Sequence, residues 1–133
     1  MTIKSKINPE IEQVVMQERL FAHLEPRYDY MGQYIHPQWS KYWDDHFQGR
    51  ETITDEEYEQ AKKHLNIEIK SIDIEDDDNV GVELFEDIYF LENDKNLSDW
   101  KVEIPEGWFL LLKIYTEDGV YCAIARNIYG ELL

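Results

Sequence analysis

Apolar residues recur with a helical period as far as Asn66, and from Ile67 onward they alternate with polar ones. The first helix is predicted to open at Asn8, a good N-cap, with Pro9 in the first helical position and Glu10 and Glu12 at the positive end of the dipole. Ile11, Val14, Val15, Phe21, Ala22 and Leu24 form its stripe, and Pro26 stops it. Residues 27–36 read as a loop. A second helix opens at Pro37 and sets Trp39, Tyr42, Trp43, His46 and Phe47 on one face, with Gly49 placed to close it. The third begins with the capping box Thr54–Glu57, buries Tyr58, Ala61 and Leu65, and carries Lys62, Lys63 and His64 where cations suit the dipole.

Beyond Asn66 the alternation predicts strands. Ile67 and Ile69, then Ile72 and Ile74, form one strand with a shift at Ser71 that reads as a bulge. Val80–Leu84, Ile88–Leu91 and Trp100–Ile104 supply further strand-like stretches, separated by Asp76–Asn79 and Asn93–Asn96. Trp108–Tyr115 and Val120–Ala125 flank Thr116–Gly119, whose Asp118-Gly119 pair is a strong hairpin signal. Both runs are nearly continuous in apolar residues and so read as central strands, with core positions among Leu111, Ile114, Tyr121, Ala123 and Ile124. The pattern predicts an α+β fold: three N-terminal helices packed over one face of a C-terminal antiparallel sheet of four to five strands. No repeat or linker divides the chain, so residues 1–133 read as a single domain.

Composition agrees with a packed core. Of 133 residues 43% are apolar and 14% aromatic, which separates the chain from a disordered acidic tail. Lys4 and Lys6 are followed by Glu10 and Glu12 rather than an apolar run, so no ordinary signal peptide is expected. The longest apolar run, Trp108–Leu112, is far too short to span a membrane. A lone Cys122 makes no internal disulfide, and a cytoplasmic protein is expected.

Charge changes the picture more. The formal charge is −16, and 14 of the residues from Ile67 to Glu106 are acidic against three basic ones, Lys70, Lys95 and Lys101. Such a surface repels nucleic acid and anionic membranes, whose affinity comes from Lys and Arg. It serves solubility, or it attracts a basic protein. The residues expected to meet that partner are Glu75, Asp76, Asp77, Asp78, Glu83, Glu86 and Asp87. Tyr28, Tyr30 and Tyr34 lack the helical spacing that marks Trp39, Trp43 and Phe47 as core, and Tyr30 and Tyr34 are the expected aromatic anchors.

No motif fixes a reaction. His36, Asp44, Asp45 and His46 include metal-ligand types, but none is paired with another at the i, i+4 spacing of a helical zinc site, so both histidines read as packed among aromatics. Asp73–Gly81 misses the calcium-loop spacing and reads as a solvated acidic turn. Cys122 lies in a core strand with no histidine near it in sequence. No catalytic residue, metal or cofactor is expected. In overall character the chain resembles small bacterial immunity and inhibitor proteins: compact, acidic, rich in Tyr and Trp, and free of catalytic motifs. That likeness implies a stoichiometric inhibitor of a basic partner, such as a toxin or another nucleic-acid-binding protein. The alternatives are a nucleic-acid mimic, with carboxylates spaced like phosphates, and a ligand-binding protein or enzyme using His36, Asp44, Asp45, His46 or His64.

Overall fold

The computed structural model describes residues 21–128. Most of the helix predicted from Asn8 lies outside them, and Phe21–Leu24 have no regular secondary structure. A short strand β1 (Tyr34–Ile35) leads into α1 (Pro37–His46) and α2 (Asp55–Leu65). Then follow β2 (Ile67–Ile72), α3 (Val82–Phe90), β3 (Phe109–Thr116) and β4 (Gly119–Asn127), with 3-10 turns at Ile74–Asp76 and Leu97–Asp99. The strands form one antiparallel sheet in the order β1-β3-β4-β2.

Local chemistry explains the two helices that match expectation. Thr54 accepts the Glu57 N–H at 3.1 Å while the Glu57 carboxylate accepts the Thr54 N–H at 2.9 Å, the reciprocal capping box that starts α2. Asn66 ends it in the left-handed conformation. At the start of α1, the His36 ring does the capping: Nδ1 accepts the Gln38 N–H at 3.1 Å and Pro37 fills the first position.

The sheet is buried on both faces, not one. Ala123 and Ala125 of β4 pack with Trp39 of α1 and Ala61 of α2, whereas Cys122 and Ile124 pack with Ile88 of α3, Leu97 and Trp100. Alternate residues of a strand point to opposite faces, so this double burial accounts for the continuous apolar runs. Of the expected core positions, Leu111, Ala123 and Ile124 are buried, Ile114 is half-buried, and Tyr121 is exposed. The bulge lies in β3 rather than at Ser71. The register shifts between Leu110 and Leu112, so that Leu111 and Leu112 join the same cluster. β2 pairs without interruption from Ile67 to Ile72.

The middle of the chain departs most from the alternation. Residues 82–90 form a helix where strands were predicted. Leu84, Phe85 and Ile88, at i, i+1 and i+4, supply its inward face, while Val82, which completed the alternating pattern, is 76% exposed. Trp100–Ile104 makes no ladder; it sends Trp100 into the second cluster and crosses that face as coil. The described sheet therefore has four strands, one of them before the helices, and no fifth.

Candidate functional site

The acidic residues of the middle segment sit on a scaffold pinned from beneath. Ile74, only 4% exposed, anchors the 3-10 turn that displays Glu75 and Asp76, and Asp73 caps that turn by accepting the Glu75 N–H at 2.9 Å. Asp78 follows on the surface, and α3 presents Glu83 and Glu86 outward. Asp77 differs from its neighbours. Its carboxylate accepts the Trp100 indole N–H at 2.8 Å and the Asn79 N–H at 2.9 Å, and these bonds, the indole first, hold it below the usual carboxylate range. Asp77 thus belongs to the scaffold. Asp87 is half-buried and accepts an amide N–H from Asn93.

Little of this charge is neutralised nearby. Among the described residues the ion pairs are Lys41–Asp45, Arg50–Glu57, Lys62–Glu59 and Arg126–Glu68. None uses Glu75, Asp76, Asp78, Glu83, Glu86 or Asp87. A groove of about 360 Å³ opens between the 3-10 turn, α3 and the β3–β4 turn, lined by Asp73, Glu75, Asp76, Phe85, Tyr89 and Asp118 among others. A Cβ on Gly119, whose φ is +127°, would stand 3.3 Å from the Tyr89 ring, so the hairpin turn closes directly onto α3.

The two tyrosines expected as anchors separate. Tyr30 is 89% exposed. It rides on a tight turn in which the Asp29 carboxylate accepts the Met31 and Gln33 N–H groups, both at 2.8 Å. The Tyr30 carbonyl accepts from the Asn96 amide, which ties this turn to the loop after α3. Gly32, at φ +78°, lies against Ser98; any Cβ there would collide with the Ser98 backbone. Tyr34 is instead buried in β1, paired with Lys113, with its hydroxyl lacking a hydrogen-bond partner. At 8% exposure Tyr34 offers a partner little surface, which argues against its assignment as an anchor.

Other apolar side chains, not singled out in the sequence, are exposed beside the carboxylates: Val82 at 76%, Phe90 at 62%, Leu91 at 46% and Tyr89 at 39%. A helical wheel over residues 82–90 would have found them. The alternating pattern concealed it.

The histidines do not assemble as one site. His36 is fully buried as a neutral ring: Nδ1 accepts from Gln38, and Nε2 donates to the Ala22 carbonyl at 2.8 Å. Burial lowers its pKa. His46 is exposed and meets Tyr42 and His64, with ring centroids at 4.1 and 5.6 Å. Asp45 shares their cavity of about 540 Å³ but is paired with Lys41, and Asp44 lies outside that lining. Among the described residues no three metal-ligating side chains gather, and no helix is long and apolar enough to cross a membrane. Cys122 is fully buried, and burial pushes its thiol up to about 12, which leaves it neutral and inert. No protein-family model matches the chain, and neither does a curated protein or a solved structure.

Proposed function

We propose that this protein is a stoichiometric inhibitor of immunity-protein type that binds and neutralises a basic protein through its acidic middle segment. The observation that supports it most is the set of exposed carboxylates, Glu75, Asp76, Asp78, Glu83 and Glu86, that form no ion pair among the described residues. Their field extends about 8–10 Å at physiological ionic strength and raises the encounter rate of an oppositely charged protein roughly 10–10³-fold. The test uses immobilised protein and lysate of the source cells at low salt, followed by kinetics on the purified captured partner. The variant Glu75→Gln/Asp76→Asn/Asp78→Asn/Glu83→Gln/Glu86→Gln leaves Asp77 in place because that residue holds Trp100. Association slows and loses its salt dependence in the variant, while dissociation changes little. Capture of no basic protein, or identical association by the variant, rejects the proposal.

A further inference from the structure

We infer that the outward face of α3 is the surface on which the basic partner docks, with Phe90 as the central anchor. The inference rests on the acidic-binder function proposed above. Helical spacing carries the geometry. Glu83, Glu86, Asp87 and Phe90 fall at i, i+3, i+4 and i+7, on the side opposite Leu84, Phe85 and Ile88, which pack inward. Phe90 therefore stands on a carboxylate stripe, with exposed Val82 and Leu91 at the two ends of the helix.

The ends of α3 lack the residues that helix caps favour, although backbone bonds from Leu91 and Glu92 to Ile88 and Asp87 close its C-terminus. Its N-cap is Gly81, with no side-chain cap, and Val82 follows in the open. Its C-cap is Leu91 at φ 56°, a left-handed position that favours Gly or Asn; α2 places Asn66 in the same conformation at its own end. A strained leucine, 46% exposed, contributes to no core. Departures from local rules of this kind collect at functional sites. Charge selects the occupant. A second copy would bring −16 against −16, and an anionic membrane is repelled in the same way. A basic polypeptide carrying an apolar residue satisfies both the stripe and Phe90.

The test titrates the ¹⁵N-labelled full chain at low salt with a short amphipathic peptide of lysine and leucine, and in parallel with a lysine–serine peptide of equal charge. Amide shifts from the lysine–leucine peptide concentrate at Val82, Glu86, Phe90 and Leu91. Phe90→Ala weakens that peptide about tenfold and leaves the lysine–serine peptide unchanged. Leu91→Gly raises the melting temperature yet weakens the lysine–leucine peptide, which separates docking from folding. Salt-dependent binding that maps instead to Leu24, Tyr28, Tyr30 and Ile35, or spreads evenly, overturns the docking surface while the acidic-binder function stands. Failure of both peptides to bind overturns that function as well. Self-association of the free chain in light scattering, abolished by Phe90→Ala, would identify the occupant as a second copy and defeat the inference.

Discussion

Lys113 places an ammonium group in the middle of the sheet, and its replacement by methionine gives a quantitative test of the second core. Its side chain is 1% exposed, lies between Tyr34 and Cys122 across the strands, and has no carboxylate within ion-pair distance among the described residues. Nζ donates to the Trp100 carbonyl at 2.8 Å and sits 4.7 Å from the centre of the Tyr28 ring. Burial, with Lys101 adding a smaller push, lowers its pKa from 10.5 to about 8; Asp99 opposes the shift. The folded chain therefore holds the charged form less well than the unfolded chain does. The penalty is in full force below pH 8, fades above it and is nearly gone at 10.5, so Lys113 makes stability rise with pH across that window. A shift of this size corresponds to about 3 kcal/mol at pH 7. Lys113→Met keeps the volume and removes the titration. The orphaned Trp100 carbonyl adds a cost of about 1–3 kcal/mol that does not vary with pH. Urea unfolding of both proteins at pH 7, 8.5 and 10 isolates the lysine as a difference curve. The stability of the variant relative to the parent falls by about 2–3 kcal/mol between pH 7 and pH 10. A flat difference would mean that the ammonium is solvated, and the burial argument would be wrong.

Tyr34→Phe removes a buried hydroxyl that lacks a partner, so thermal unfolding should show no loss of stability, and a gain of up to about 1 kcal/mol; a clear loss would reveal an essential bond at that oxygen. Asp77→Ala strips the acceptor from the buried Trp100 indole and costs about 1–3 kcal/mol in urea unfolding. It should slow partner association far less than neutralising Asp76 and Asp78 does, and equal slowing would return Asp77 to the binding surface.

The elements that were legible in the sequence carry their signal locally. α2 announces itself by a capping box within four residues, and the β3–β4 hairpin by Asp118-Gly119 between apolar runs. α3 was illegible because Val80, Val82 and Leu84 alternate by coincidence: the first precedes the helix and the second faces solvent. Its true face, Leu84, Phe85 and Ile88, is short enough to fit either period. β1 spans two residues, too few to show any period, so the burial of Tyr34 depends wholly on pairing with distant β3. The same holds for His36, whose capping of α1 and bond to Ala22 are tertiary facts. The charge of the candidate surface could be counted from residue types alone. The apolar side chains exposed beside it required knowing that 82–90 is a helix.

Two sets of acidic residues among those described differ in role, and the difference bears on whether the surface binds or only solubilises. Asp29, Asp73, Asp77 and Asp99 accept backbone or indole N–H groups and build turns. Glu83, Glu86 and Asp87 stand on one stripe of α3, where like charges at i, i+3 and i, i+4 repel by a few tenths of a kcal/mol per pair. With no side-chain cap at its N-terminus and a leucine in the left-handed C-cap, the helix lacks two residue choices that would offset that repulsion. A cationic partner bound there would relieve it and so link binding to helix stability. Salt separates the two roles. Screening stabilises the free chain in either case, because it weakens the repulsion along α3. Only a binding surface also loses affinity as salt rises, since the same screening weakens attraction to the partner. A surface selected for solubility alone would show the first effect without the second.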